Sequence, residues 1–206
     1  MIGSELTLQL VALRLLAGVV MFTAQGATIA AIAGLLGDKG PRYDGRLTLM
    51  PLRQIDLLGL ASTMLTGFGW GQPVQVDPGQ LRFGRWGLVI VALAGSAVLL
   101  LIGYLILFLT IPLLTMLPYS AGVTAAAFVR VTARLCVWMS LFTLLPIPPL
   151  AGAHLLAAVG IKLPRSVGVW IGVVLLVASF FGITRMVLTP AYNIIAPLVI
   201  GTELAG

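Results

Sequence analysis

The sequence predicts an all-α membrane protein: a polytopic bundle of about five to six transmembrane segments, forming a single integral membrane domain over residues 1–206. Two observations lead to this fold class. Of the 206 residues, 60% are hydrophobic and only 9% are charged, whereas soluble domains carry roughly a quarter charged residues. Several apolar runs also reach the ~20 residues that a helix needs to cross the hydrocarbon core. Together these segments use up the chain and leave no room for a separate soluble domain.

The predicted segments follow one another with polar loops between them. The first run, 6–36, is long enough for a complete span and an interfacial turn, whereas 55–68 has only about 14 residues, roughly 21 Å as a helix. That length is short of the ~30 Å hydrocarbon core, so 55–68 is predicted to be re-entrant. The remaining predicted helices are the spans 86–117, 125–145 and 166–188, a short helix over 153–161, and an interfacial or partly buried tail helix over 192–204.

Basic residues in the loops predict the topology. The loops 38–53 and 67–85 hold six Lys and Arg residues, which are Lys39, Arg42, Arg46, Arg53, Arg82 and Arg85. Cytoplasmic loops are enriched in such residues. If 55–68 is re-entrant, both loops lie on one side, which we predict to be the cytoplasmic side of a bacterial-type inner (plasma) membrane. Because these residues form no basic run, we expect no nucleic-acid partner.

A proline-rich block, LLPIPPLAGAHLL over 144–156, interrupts the apolar sequence. Proline lacks a backbone N–H and clashes with the preceding turn, so Pro146, Pro148 and Pro149 exclude a regular helix here. Non-helical backbone at membrane depth persists only where protein or a watery cavity covers it. The block therefore predicts a proline-broken segment inside the bundle, with a functional role.

This block resembles the NLLPIPPLDGG signature of site-2 proteases, the intramembrane zinc metallopeptidases. Three other segments resemble motifs of the same family: LLGDKGPRYDGRLTLMPLRQIDLLG, GFGWGQPVQVDPGQLR and VALAG. All of them lie in the family's order within 24–156. The resemblance implies a site-2-protease-like core, with its metal site between the first helix and the proline block.

The resemblance also implies which positions would form the zinc site, and this sequence departs from the family at each of them. Gln25 and Ile29 stand in place of the two zinc-binding histidines, and Gly26 in place of the glutamate that activates water. Ala151 stands in place of the aspartate that is the third ligand. Catalytic zinc needs about three N, S or O ligands, and the chain has one histidine and one cysteine. We therefore expect no zinc, no other cofactor and no enzymatic activity.

Two further features have more than one interpretation. The single histidine, His154, could pair with a serine for catalysis, but the Gly-x-Ser-Gly turn of rhomboid-type proteases is absent. We expect His154 instead to cap carbonyl groups that the proline block leaves unpaired. Arg130 and Arg134 are one helical turn apart inside a predicted span, where arginine is costly. Snorkelling to headgroups, binding of an anionic lipid and pairing with an acid on another subunit all stay open for them.

These observations favour a pseudoprotease, a membrane-embedded accessory or scaffold subunit of a larger membrane complex. Its partners would be the lipid bilayer and other membrane proteins. Two alternatives stay open: an active or partner-assisted intramembrane metallopeptidase, and a protein that binds lipid or a small molecule. The predicted partner or lipid contacts are Ala27, Ala30, Arg130, Arg134, Gly152 and His154.

Overall fold

The computed structural model describes residues 7–161 and 165–205, and within these ranges all named secondary structure is helical. One isolated bridge pairs Ile55 with Gly71. The helices are α1 (Leu8–Leu35), α2 (Gly40–Tyr43), α3 (Leu57–Thr66), α4 (Arg85–Ile106), α5 (Thr110–Met116), α6 (Tyr119–Thr143), α7 (Ala153–Ala158), α8 (Arg165–Phe180), α9 (Ile183–Ile200) and α10 (Thr202–Ala205), with short 3-10 turns at Pro51–Arg53 and Leu107–Leu109. The predicted all-α class is confirmed.

Four segments in the described part of the chain are long and apolar enough to cross a membrane. They are α1, the nearly continuous α4–α5 unit over Arg85–Met116, α6 and α9. Two shorter apolar helices, α3 and the Val167–Phe180 part of α8, complete the bundle. The predicted polytopic bundle is therefore confirmed, and its segments differ in length as the apolar runs indicated.

The predicted span 166–188 is wrong in its boundaries, because the chain breaks inside it. Gly182 adopts a left-handed conformation with φ of 77°, which glycine tolerates, and this residue separates α8 from α9. The Ser179 and Thr184 hydroxyls lie 2.8 Å apart and hydrogen-bond across the break. Helix α9 then continues through Pro190, where the sequence predicted its end.

Helix α3 is too short to cross a bilayer. Its ten residues span about 15 Å. Asp56 caps its first turn by accepting a hydrogen bond from Gly59 N at 2.9 Å. At its other end the Arg14 guanidinium donates from Nη1 to the carbonyls of Met64 (3.4 Å) and Leu65 (3.0 Å), and Gly67 ends the helix in the left-handed region. The length of α3 agrees with the prediction that this segment does not span, and its re-entrant topology stays a prediction.

The two basic loops lie together at the carboxyl end of α1, as a re-entrant α3 requires. Asp38 is 1% exposed. Its Oδ1 accepts from Gly40 N and its Oδ2 from Asp77 N, each at 2.8 Å. Arg82 N also donates to Leu36 O at 2.7 Å. The shared location of the loops is confirmed, and the membrane side that they face stays a prediction.

The proline block closes back on the end of α6. Helices α4 and α6 pack along each other, with Ser96 Oγ donating to Ser140 O at 2.7 Å. Helix α6 ends at Thr143, and Gly152 N donates to the Thr143 carbonyl at 2.7 Å. This confirms the predicted proline-broken segment and brings its far end toward α1 and α4.

Candidate functional site

Helices α1 and α4 pack closely at the positions that the family resemblance assigns to the metal site. Gln25 and Ile29 lie one helical turn apart on α1, and both are buried. Gly95 of α4 lies against them. A Cβ added to Gly95 would be 2.8 Å from Ile29 Cγ1 and 3.6 Å from Gln25 Cγ. The missing side chain at Gly95 therefore lets α4 approach α1 at this level.

Ala151 reaches the same region from the proline block. It packs against a buried apolar cluster built by α1, α4 and the loop 67–84. The buried members of this cluster are Ile29, Ala30, Ala33, Val74 and Val91. The structure thus brings Ile29 and Ala151 into one cluster, and hydrocarbon side chains surround both.

The fourth assigned position, Gly26, contacts a side chain from the loop before α3. Gln54 is 0% exposed, and its Nε2 donates to the carbonyls of Arg46 (2.7 Å) and Thr48 (3.0 Å). A Cβ added to Gly26 would clash with Gln54 Oε1 and lie 2.9 Å from Gln54 Cδ. Glycine at this position therefore leaves room for the Gln54 amide.

Sequence reasoning did not select Gln54. The available signal was its place directly before the Ile-Asp pair of the LLGDKGPRYDGRLTLMPLRQIDLLG segment. Two buried amide atoms here, Gln25 Nε2 and Gln54 Oε1, have no hydrogen-bond partner among the described residues. An unpaired buried amide atom costs about 1–3 kcal/mol. A donor and an acceptor are thus available beside an otherwise apolar cluster.

The residues at the four assigned positions do not fit a zinc ion. They offer one neutral amide, one glycine and two alkyl side chains, whereas zinc sites in proteins use His, Cys, Asp or Glu. Across residues 7–161 and 165–205, no group of three or more such side chains is placed to hold a metal.

His154 lies on α7 and is partly buried. Desolvation lowers its pKa to about 4, an effect that a hydrogen bond with the Val74 backbone only partly offsets. The imidazole is therefore neutral at pH 7. The Val74 backbone that acts on the His154 pKa belongs to the loop 67–84 and not to the proline block, so the expected capping of proline-block carbonyls stays a prediction.

The outer face of α1 forms one side of an open groove of about 450 Å³. Small residues of α1 face an irregular segment, 47–49, across it, and the lining residues are Ala24, Ala27, Thr28, Ala31, Leu47, Thr48 and Leu49. We call it the α1 groove. Within the described part of the chain, the backbone N–H groups of 47–49 donate no hydrogen bond. The groove thus combines a small-residue helix face with an irregular segment whose backbone N–H groups are unpaired.

Arg46 fixes the start of this irregular segment. Its side chain is buried and donates from Nη1 to Gln72 Oε1 at 3.1 Å, and also to the backbone carbonyls of Arg53 and Gln72. Burial lowers the pKa of the Arg46 guanidinium, and the nearby Asp44 charge acts in the opposite direction. Because a buried guanidinium needs such acceptors, Arg46 and Gln54 together hold the segment in place.

The predicted partner contacts differ in how exposed the structure leaves them. Ala27 lines the α1 groove, and Arg130 is exposed on α6. Ala30 is buried in the apolar cluster and is unavailable to a partner. Gly152 is also buried, with the Leu144 and Leu145 carbonyls where its Cβ would lie. These two predictions are therefore wrong, because this chain's own residues already cover both positions.

Arg134 hydrogen-bonds to this chain's own backbone. Its Nε donates to the Leu204 carbonyl at 2.8 Å. That acceptor lies near the end of the chain, beyond the predicted spans. The carboxyl-terminal helix α10 is therefore fastened to α6 by this arginine.

A comparison with known proteins places these features in a family. The chain is 31% identical over 144 residues to "Putative zinc metalloprotease YwhC" of Bacillus subtilis (strain 168). The protein is a site-2-protease-like membrane protein. The aligned region covers 67% of this chain and 64% of YwhC, so the chain spans less than two thirds of that relative. No family model and no solved structure matches this site-2-protease-like chain.

The same comparison corrects one prediction. The prediction that the chain is not an enzyme is wrong, because the relative is described as a "Putative zinc metalloprotease". The prediction depended on the substitutions at Gln25, Gly26, Ile29 and Ala151. These substitutions remove zinc ligands from this chain alone, and a metal site in a complex can take ligands from another chain. The membrane location is confirmed, and the inner membrane stays a prediction.

Proposed function

We propose that this site-2-protease-like protein binds an extended apolar segment of another membrane protein in the α1 groove, as a subunit of a larger membrane complex. The observation that carries this proposal is the irregular segment 47–49, which lies beside a helix face of small residues and whose backbone N–H groups donate no hydrogen bond within the described residues. The relative supports the ligand class, because a protein described as a metalloprotease acts on polypeptides.

The groove suits a polypeptide better than a rigid small molecule. Backbone N–H groups away from water need acceptors, and the backbone carbonyls of a bound polypeptide can supply them. The Leu47 and Leu49 side chains are 48% and 73% exposed and can cover apolar side chains of the bound segment. Across the groove, Ala27 and Ala31 have only a methyl group, so a neighbouring chain can approach the α1 backbone.

Partner-assisted proteolysis is a second candidate function, and the similarity to YwhC favours it. In that case the groove would present a polypeptide to a metal centre that includes ligands from another chain. Zinc would act there as a Lewis acid on the peptide carbonyl. The contribution of this chain would be to bind and align the polypeptide, and both candidates share that first step.

The proposal predicts that Ala27→Leu reduces occupancy of the groove about tenfold. The added isobutyl group would fill the space that the bound segment needs, and a tenfold loss corresponds to about 1.4 kcal/mol. The measurement is photocrosslinking in native membranes from a photoreactive amino acid placed at Leu49. A defined crosslinked polypeptide should appear and should fade in the Ala27→Leu variant.

Ala97→Leu is the matched control, because Ala97 is an exposed alanine on α4 outside the groove lining. It should leave the crosslink unchanged. A second photoreactive position, Trp170 on the exposed face of α8, should give a different pattern. Equal crosslinking in wild type and in the Ala27→Leu variant, with both folded, would show that nothing binds in the groove.

Zinc analysis of the crosslinked complex separates the two candidates. A complex with about one zinc per copy of this chain, together with chelator-sensitive cleavage of the crosslinked polypeptide, would establish partner-assisted proteolysis. A stable zinc-free complex in which the polypeptide stays intact would leave binding as the function. A purified protein that carries lipid and no polypeptide would favour the lipid-binding alternative.

A further inference from the structure

Three of the described arginines inside the apolar helices contact other groups of this chain. Arg14 of α1 donates from Nη1 to two carbonyls at the end of α3, at 3.0 and 3.4 Å. Arg134 of α6 donates from Nε to the Leu204 carbonyl at 2.8 Å. The guanidinium carbon of Arg185, near the start of α9, lies 5.5 Å from the Trp138 ring centroid. Arginine in such a segment is costly unless polar or aromatic groups stabilise it, and these contacts meet that need.

Arg130, one helical turn before Arg134, differs from these three. Its side chain is exposed, and within residues 7–161 and 165–205 it forms no hydrogen bond, ion pair or ring contact. Helix α6 is long and apolar enough to cross a membrane. At 1.5 Å per residue, Arg130 lies about 17 Å from the first residue of α6 and about 20 Å from the last. When α6 is centred in the ~30 Å hydrocarbon core, Arg130 is therefore near the middle of the bilayer.

We propose that Arg130 pairs with an Asp or Glu carboxylate in a transmembrane segment of another membrane protein. Arginine at this depth needs a compensating anion, and a carboxylate can accept two hydrogen bonds from one guanidinium. The phosphates of lipids lie at the two surfaces of the bilayer, beyond the ~15 Å of hydrocarbon on either side of its middle. The position of Arg130 within α6 therefore favours an acidic side chain over a lipid headgroup.

The surface around Arg130 suits a neighbouring helix. Ala127, almost one turn earlier, is only partly buried and has only a methyl group, so another helix can approach the α6 backbone. Val123, a further turn away on the same side of α6, is 45% exposed and provides apolar contact. The described lining of the α1 groove includes no residue of α6. This interface therefore goes beyond the proposed function, and its partner is defined by an acid at the depth of Arg130.

The proposal predicts that Arg130→Gln lowers crosslinking to the partner about tenfold or more, because truncating one side of a desolvated charge pair leaves the other charge unpaired. The crosslink is formed in native membranes from a photoreactive amino acid placed at Val123. Arg130→Lys retains the positive charge and should retain a larger share of the crosslink than Arg130→Gln. Since Arg130 is exposed and makes no polar contact with the described residues, the Gln variant should unfold at the same temperature as wild type, which circular dichroism checks.

Charge reversal identifies the partner's acid. Mass spectrometry of the crosslinked polypeptide gives the segment that lies against α6. Arg130→Glu should abolish the crosslink, and a Lys substituted for the acid of that segment should restore it. A segment without Asp or Glu would contradict the proposal, as would failure of the Lys substitution to restore the crosslink to Arg130→Glu.

Arg42→Gln is the matched control, since Arg42 is an exposed arginine on α2. It should leave the crosslink from Val123 unchanged. Equal crosslinking in wild type and in Arg130→Gln would overturn the proposal, as would equal losses in Arg130→Gln and Arg42→Gln. Crosslinking to lipid alone would show that this face of α6 meets the bilayer and would also overturn it. The crosslink from Leu49 in the α1 groove is scored separately, so failure of this proposal is distinguishable from failure of the proposed function.

Discussion

Gly152→Ala is expected to prevent the proline block from closing on α6 and to destabilise the protein by about 2–4 kcal/mol. A Cβ at this position would clash with the Leu145 carbonyl and lie 2.6 Å from the Leu144 carbonyl. Both oxygens belong to the backbone, so no rotamer change can relieve the overlap. Forced overpacking alone costs about 1–3 kcal/mol, and displacement would also break the Gly152 N to Thr143 O hydrogen bond, about 1 kcal/mol more.

Gly34→Ala is the control, and its expected change in stability has the opposite sign. Gly34 lies inside α1, and a Cβ added there meets nothing within 4 Å. The higher helix propensity of alanine should make this variant neutral or more stable by up to about 1 kcal/mol. Unfolding in mixed micelles, followed by circular dichroism, measures both. Equal stability of the Gly152→Ala and Gly34→Ala variants would show that the proline block does not close as described.

The long spanning helices and the short helix α3 could be predicted from the sequence, because the bilayer fixes the length that a span requires. The run that contains α1 has that length and the run that contains α3 does not, whatever their packing. The boundary between α8 and α9 could not be predicted in the same way. Gly182 follows the apolar residues Phe180 and Phe181, and a single glycine in such a run does not by itself mark a turn. Pro190 instead suggested an end that the helix does not have.

The candidate site could also be predicted only in part from the sequence. Motif order alone assigned Ile29 and Ala151 to one site, and the structure packs both into one apolar cluster. The side chain that lies against Gly26 could not be predicted, because Gln54 reaches it through tertiary packing from a separate loop. Arg134 illustrates the same limit: its acceptor, Leu204, lies 70 residues further along the chain. Local sequence patterns do not show which residues pair over such distances along the chain.

Gly26→Ala is expected to destabilise the protein by about 2–4 kcal/mol through the Gln54 amide. The new Cβ would clash with Gln54 Oε1. Gln54 cannot turn away freely, because its Nε2 is bound to the carbonyls of Arg46 and Thr48. Loss of both hydrogen bonds costs about 1 kcal/mol each, overpacking adds about 1–3 kcal/mol, and the higher helix propensity of alanine offsets about 1 kcal/mol. Gly18→Ala on the same helix should cost less, since its nearest neighbour is the flexible end of Leu60 at 3.0 Å.

A double-mutant cycle tests whether this contact is the cause. Gln54→Ala alone should destabilise the protein, but in its presence Gly26→Ala should cost about 1–3 kcal/mol less than in wild type, because the clashing amide is gone. Strictly additive effects would show that the two side chains do not meet. The cycle also bears on function, since Gln54 holds the Thr48 carbonyl in the irregular segment of the α1 groove. Displacement of Gln54 by the new methyl group should loosen that segment. Photocrosslinking from Leu49 should therefore fall in Gly26→Ala, although residue 26 does not line the groove.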